Sequence, residues 1–221
     1  MKYNIVESGS QGNATIIEEI VMIDCGISFK KVKPFMNNLK LVLLTHIHSD
    51  HFNKSTIKRL AQERPTLRFG CQSWLVKALI DCSVDKSNID VYDSMNYFVY
   101  SDNLKIKTFN LTHDVPNCGY VVYLNGGSYF YATDTCNLDN VKEPNCDMYF
   151  IEANYLDKQD LENRKQKHIE NGEFYYEDRV EKTHMSQVQA LDWLMENMGS
   201  NSKYEFMHIH KEKEESSDKH V

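Results

Sequence analysis

The stretch Thr45-His46-Ile47-His48-Ser49-Asp50-His51 directly follows the apolar run Leu41-Val42-Leu43-Leu44. It places three histidines and one aspartate within six residues, after a segment that is typical of a buried strand. His46 and His48 are two apart, so they point to the same side while the chain stays extended. The aspartate and the last histidine follow as the chain turns and can reach a second position. Imidazole and carboxylate groups suit zinc, manganese or iron, so we predict a metal site; the alternative is a polar, histidine-rich loop.

Length and composition indicate one globular domain. The 221 residues are 41% hydrophobic and 26% charged, and no apolar run approaches the ~20 residues of a membrane helix. Six cysteines without a CxxC pair favour free thiols, and the first residues read as a strand, so we expect a cytoplasmic protein. We expect a domain over residues 1–210 and a disordered charged tail over 211–221. The net charge of −7 argues against a general nucleic-acid-coating protein, but not against a metalloenzyme.

Strand-like and helix-like segments alternate in the first half of the chain, which predicts a layered α/β domain. Residues 54–63 have apolar residues at helical spacing. Residues 73–82 are also predicted to be a helix, with Trp74 among its inward residues. Strand patterns dominate from residue 97 onward. Asn125-Gly126-Gly127 is a strong turn signal and predicts a hairpin.

The last third of the chain is more helical and more polar. Residues 157–182 alternate in charge and are predicted to present a charged helix face. A further helix is predicted over 188–198, with Ser186 as its N-cap in a capping box. Leu191 and Met195 are expected on the apolar side of that helix.

The histidine stretch resembles the HxHxDH signature of the metallo-β-lactamase superfamily. That resemblance implies a four-layer αββα sandwich and three more ligands downstream: a histidine, an aspartate shared by two metals, and a histidine. His113, Asp134 and His208 stand in that order, each after a strand-like segment. Taken alone, Asp134 could equally be a helix N-cap. His210 is the alternative to His208.

The resemblance therefore implies two divalent metal ions, zinc or manganese. One ion would be held by His46, His48, His113 and Asp134. The other would be held by Asp50, His51, Asp134 and His208, and Asp50 would also serve catalysis. Two metals can stabilise both the attacking and the leaving oxygen of a phosphoryl displacement. Asp24 is expected to orient a ligand histidine.

A second pair of residues resembles the phosphodiesterase branch of the superfamily. Glu152 follows a strand and His184 stands at the start of a later helix. In that branch the histidine protonates the leaving oxygen or steadies the phosphate, and the carboxylate orients it. An imidazole with a near-neutral pKa suits this task, so Glu152 and His184 are predicted to be catalytic.

Within that branch the chain is similar to the WalJ/YycJ-type phosphodiesterases. The similarity lies in SGSQGNAT at 8–15, IDCGIS at 23–28 and IEANY at 151–155. It implies a DNA nuclease that degrades from the 5′ end. The chain departs from the subgroup at Thr183-His184-Met185-Ser186-Gln187, where GHLSN is usual, which affects substrate choice more than metal binding.

Four residues are predicted to contact the substrate: Ser10, Asn13, Asn154 and Arg179. Arg179 could bind a phosphate in a bidentate way, or it could form a surface salt bridge. Other hypotheses stay open, namely hydrolysis of a small cyclic nucleotide, processing of RNA, and a metal-stabilised binding module without turnover. A thioesterase would leave Glu152 and His184 without a role.

Overall fold

The computed structural model describes residues 1–92 and 96–210, so the predicted tail over 211–221 lies outside the described residues. Within them the strands form two six-stranded sheets. The first sheet has the order β1 (Tyr3–Glu7), β2 (Ala14–Ile17), β3 (Val21–Ile23), β4 (Leu41–Leu43), β5 (Arg68–Cys71) and β6 (Ile89–Val91). The second has the order β12 (Lys203–Met207), β11 (Met148–Glu152), β10 (Gly127–Ala132), β9 (Asn117–Leu124), β8 (Leu104–Leu111) and β7 (Tyr97–Ser101).

Six α-helices accompany the sheets in the described part of the chain. They are α1 (Phe29–Val32), α2 (Lys54–Glu63), α3 (Val76–Asp81), α4 (Lys158–Glu170), α5 (Glu177–Thr183) and α6 (Gln187–Asn197). The helix predicted over 54–63 has these same bounds. None of the described helices has the length and apolar character that crossing a membrane requires.

Along each strand, successive side chains are buried on opposite faces of the sheet. This alternation produces the four layers. Val42 packs with α2 and α3 on one side of β4, whereas Leu41 and Leu43 face the second sheet. In β10, Tyr129 faces the first sheet and Phe130 packs toward α6. Successive side chains of a strand point to opposite faces, so each sheet contacts helices on one side and the other sheet on the other. The predicted αββα sandwich is confirmed.

The inward position predicted for Trp74 is wrong, and two apolar residues of α6 also lie outside the core. Trp74 is 36% exposed, Leu191 is 40% exposed and Met195 is 82% exposed. Trp74 lies in a short 3₁₀ turn before α3, whose different residue period turns its side chain away from the core. The second sheet covers only the narrow strip of α6 that includes Ala190 and Leu194, so the neighbouring apolar residues stay outside.

The strand directions bring several chain segments to one edge of the sandwich. Strands β10, β11 and β12 are parallel, so their carboxyl ends lie together. Strand β8 is antiparallel to β9, and β9 is antiparallel to β10, so β8 also ends at this edge. The hydroxyl group of Tyr120 donates to the Leu44 carbonyl at 2.5 Å and ties the second sheet to the end of β4. The loops after these strands therefore meet in one place.

Candidate metal centre

Three groups of potential ligand side chains lie at this edge and share Asp134; two of them match the predicted ligand sets, and the third joins Asp134 and His208 to Glu152 and His184. In each, the ligand atoms are within 4.8 Å of one another. The first cluster contains His46, His48, His113 and Asp134; the second contains Asp50, His51, Asp134 and His208. The structure thus brings together all of the side chains that the sequence predicted to be ligands.

The carboxylate of Asp134 lies between the histidines. Its Oδ2 is 3.3 Å from His46 Nε2, 3.1 Å from His51 Nε2 and 3.8 Å from His113 Nε2. Its Oδ1 is 3.0 Å from His208 Nδ1 on the other side. The two oxygens of one carboxylate therefore face both clusters, as a bridging ligand requires.

Hydrogen bonds on the far side of three rings fix their orientation. Thr45 Oγ1 lies 3.0 Å from His46 Nδ1, and Asp24 Oδ2 lies 2.7 Å from His51 Nδ1. The Thr183 carbonyl lies 3.0 Å from His113 Nδ1. In each case Nδ1 is engaged and Nε2 faces Asp134, which is how proteins commonly orient metal-binding histidines.

Asp24 is a buried anchor for the histidine stretch. Its Oδ1 accepts from the backbone N–H and the hydroxyl group of Thr45 at 3.0 and 2.9 Å. Its Oδ2 contacts His51 and accepts from Tyr131 at 3.1 Å. The neighbouring Gly26 has no room for a side chain, because a Cβ there would lie 1.6 Å from the Asp50 carbonyl oxygen.

The backbone is strained at three residues of this region. Asp24, Asp134 and His208 have φ values of 61°, 56° and 57°. Non-glycine residues adopt this left-handed conformation at an energetic cost, and such residues concentrate at functional sites. Here the conformation turns each side chain into the centre directly after a strand.

The residues fit divalent metal ions. Among the candidate ligands, three buried atoms make no hydrogen bond of normal geometry to the described part of the chain, namely His46 Nε2, Asp134 Oδ1 and His208 Nε2. Burial lowers the pKa of His51, but the charges of Asp134 and Asp24 outweigh it and raise that pKa to about 10. Burial likewise opposes ionisation of Asp134, yet His208 and His51 hold its pKa well below the usual value. The carboxylates thus attract positive charge, and nitrogen and oxygen donors suit zinc or manganese.

Glu152 and His184 form a pair beside the second cluster. Glu152 is fully buried at the end of β11, and its Oε1 lies 3.0 Å from His184 Nδ1 and 3.4 Å from His208 Nδ1. Its other oxygen accepts from the backbone N–H of Asp134. Burial raises the pKa of Glu152, but His208 and His184 outweigh it and lower that pKa. An ionised carboxylate therefore holds the half-buried His184 ring next to the centre.

The predicted substrate-contacting residues occupy different environments. Ser10 is exposed on the loop after β1. Asn13 is fully buried, and its amide contacts the carbonyls of Gly9 and Asp50 and His51 Nε2. Asn154 is 8% exposed and donates to the His208 carbonyl at 3.0 Å.

The salt bridge considered for Arg179 is present in the structure. Its side chain is 69% exposed and donates to Asp114. The sequence interpretation overlooked Asp114, whose Oδ1 lies 3.3 Å from His48 Nε2 and 3.2 Å from His113 Nε2. Burial would raise the pKa of Asp114, but Arg179 and His113 hold it below the usual value. The only signal in the sequence was its position directly after His113.

His210 lies outside both clusters. Its backbone N–H donates to the Asn154 carbonyl at 2.9 Å, and its ring faces Tyr176 with a centroid separation of 6.4 Å. Of the two C-terminal histidines, His208 is the one whose ring lies beside Asp134.

A family model described as the beta-lactamase superfamily domain matches residues 20–209. The chain belongs to this family, which confirms the superfamily predicted from the histidine stretch; the WalJ/YycJ-type subgroup stays a prediction. No curated protein sequence matches the chain.

Solved structures share the fold at low sequence identity. The metallo-beta-lactamase fold protein YhfI from Bacillus subtilis is 15% identical with a TM-score of 0.72, covering 96% of this chain and 87% of that one. Human tRNase Z, short form, is 13% identical with a TM-score of 0.63, covering 95% and 93%. Zn²⁺-bound PqqB from Methylobacterium extorquens is 11% identical with a TM-score of 0.66, covering 95% and 89%.

Proposed function

We propose that this chain is a two-metal phosphodiester hydrolase, and specifically a nuclease that acts on DNA from the 5′ end. The observation that carries the proposal is the Glu152–His184 pair, whose atoms lie 3.0 Å apart beside Asp134 and His208. Such a pair can protonate a poor leaving group, which phosphodiester hydrolysis requires and hydrolysis of a β-lactam or a thioester does not. The fold shared with tRNase Z, a nuclease by its name, is compatible with nucleic acid as the substrate.

Each residue has a defined task in this proposal. His46, His48, His113 and Asp134 would hold one metal, and Asp50, His51, Asp134 and His208 the other. Zinc or manganese at these positions would supply Lewis-acid stabilisation of charge on the phosphate. The Glu152 carboxylate orients the His184 ring through Nδ1. His184 Nε2 then donates a proton to the leaving oxygen.

Two features support finer points. The six cysteines are unpaired, which supports a cytoplasmic location. A cavity of about 500 Å³ is lined by His113, Asp114 and Arg179, among others. Small-molecule sites commonly measure ~300–1,000 Å³, and this cavity lies within that range. Hydrolysis of a small phosphodiester is therefore the second candidate function.

Replacing His184 by Ala tests the proposal. We expect both metals to stay, because the ligands are untouched, and turnover of DNA to fall by ~10²–10⁴-fold, the usual worth of positioned acid–base catalysis. A nitrophenyl phosphodiester needs less protonation of its leaving group, so part of the loss should be recovered on that substrate. Metal content per chain and initial rates on both substrates are the measurements.

The matched variant is Glu152→Gln, which should lose less activity because it only orients the imidazole. Wild-type protein should be assayed on single- and double-stranded DNA, tRNA precursors and cyclic nucleotides, with Mn²⁺ and with Zn²⁺. Unchanged turnover of His184→Ala on both diesters would refute the role of the pair. Loss of metal would make His184 a ligand instead.

A further inference from the structure

A large groove lies near the candidate metal centre. Its volume is about 1440 Å³, and its walls come from the end of β1 and the loop after it, from α4, and from the segment after β12. Ser10 and Lys167 line it, together with His168, Tyr176 and His210. It is separate from the cavity beside His113 and Arg179.

Two chain segments connect the wall of the groove with the second ligand cluster. His210 is two residues from His208, a distance of at most about 7 Å along an extended chain. Ser8, which also lines the groove, accepts a hydrogen bond from the backbone N–H of His208 at 2.7 Å. The groove wall is therefore hydrogen-bonded directly to the backbone of a candidate metal ligand.

The size of the groove favours an extended occupant. Pockets for small molecules commonly measure ~300–1,000 Å³. The groove, at about 1440 Å³, is larger than that range. A cyclic nucleotide would leave most of its walls without contacts, whereas several linked nucleotides would cover them.

The charges along the groove favour an anionic occupant. Its acidic residue Glu7 is paired with Lys31, and Glu173 lies 3.9 Å from His168 Nε2. Lys167 is exposed and forms no ion pair among the described residues. Glu7 is thus neutralised by Lys31, and the ammonium group of Lys167 stays available for a phosphate, although the whole chain is acidic.

Exposed aromatic rings lie where the groove meets the α4–α5 connection. Tyr176 is 42% exposed, and its ring lies 6.0 Å from that of His168 and 6.4 Å from that of His210. The preceding Phe174 and Tyr175 are 88% and 39% exposed. Exposed aromatic rings are the usual platform on which unpaired bases stack, and bases inside a duplex cannot reach such rings.

We infer that this groove binds single-stranded polynucleotide and guides it to the metal centre, with Lys167 on a phosphate and Tyr176 stacked on a base. The inference rests on the proposed nuclease function and specifies its substrate as an unpaired strand. Lys167, Tyr176 and His210 become substrate-binding residues that no sequence motif indicated.

Binding of fluorescein-labelled phosphorothioate oligo-dT and oligo-U to the full chain as purified tests this inference. Fluorescence anisotropy over a series of salt concentrations gives affinity and its salt dependence. We expect Tyr176→Ala to weaken binding about 5- to 100-fold through loss of stacking. Lys167→Gln should reduce the slope of log affinity against log salt by about 0.7, the value of one single-strand phosphate contact.

Two variants serve as matched controls. Tyr176→Phe keeps the ring and should keep the affinity. Lys58→Gln removes an exposed lysine from α2, outside the groove, and should leave the salt slope unchanged. Equal affinity of wild type and Tyr176→Ala, or tighter binding of a duplex than of either single strand, would overturn the inference.

Hydrolysis of bis(p-nitrophenyl) phosphate by the wild-type chain tests the proposed function separately. If this small diester is cleaved while the groove variants bind oligonucleotide like wild type, the groove inference fails and the proposed function stands. If the small diester and the oligonucleotides are all left intact with Mn²⁺ and with Zn²⁺, the proposed function itself fails.

Discussion

Two aspartates contact the clustered histidines, and they differ in burial, in backbone conformation and in their partners. Asp24 is fully buried, is held in the left-handed backbone conformation and accepts from Thr45 and Tyr131 besides contacting His51. Asp114 has a side chain that is 29% exposed, and its main partner is the exposed Arg179. The buried aspartate can act only on the protein, whereas the other one faces the solvent.

This difference indicates that the two clusters have different surroundings. The second cluster has a rigid support, because Asp24 ties His51 to the end of β4. The first cluster has an open rim, since His48 and Asp114 are about one-third exposed at 31% and 29%. We therefore interpret the Asp24 side as the fixed wall of the centre and the Asp114 side as the wall along which ligands enter or leave.

The largest effect is expected at Asp134, which lies between the clusters. Asp134→Asn removes one negative charge that faces both, so both metals should bind more weakly. Activity should fall by more than the ~10²–10⁴-fold that a single acid–base residue is worth. Metal content after dialysis and initial rates are the measurements. Retention of two metals per chain with full activity would show that Asp134 is not a shared ligand.

A smaller and one-sided effect is expected at Asp24. Asp24→Asn keeps the shape of the side chain but removes the charge that favours the orientation of His51. Loss of such a supporting hydrogen bond typically weakens metal affinity by ~10–100-fold. Titration against a chromophoric chelator should therefore show a larger loss at the site of His51, which Asp24 contacts directly, than at the site of His46, which Asp24 reaches through Thr45. Equal weakening of both sites would mean that the clusters are not supported separately.

The smallest effect is expected at Asp114. Asp114→Asn breaks an exposed ion pair, and such pairs contribute about 0–1 kcal/mol to stability. We expect the free energy of unfolding, from urea titration, to change by less than about 1 kcal/mol. Asp24→Asn in the same assay is the comparison. A larger loss for Asp114→Asn than for Asp24→Asn would reverse our assignment of the fixed and the open wall.

The ligands that lie within a few residues of one another could be predicted from the sequence alone. The ligands that are far apart in the sequence could be predicted only through a family resemblance. His46, His48 and His51 lie within six residues of the sequence, so the residue types and their spacing alone suggested a metal site. His113, Asp134 and His208 are each unremarkable in isolation and gained meaning only from their order. Asp114 and the groove beside α4 have no local signature, because their positions depend on which strands end together.

By itself the sequence determined the local structure: the helix over 54–63, the hairpin at Asn125 and the capping box at Ser186. These depend on residues a few positions apart, whose backbone preferences do not require the rest of the chain. Only the tertiary structure decided that Asp24 meets His51, that the Thr183 carbonyl holds His113, and that Met195 stays outside. Those contacts span up to 70 residues and follow from the strand order, which brings distant segments to one edge of the sandwich.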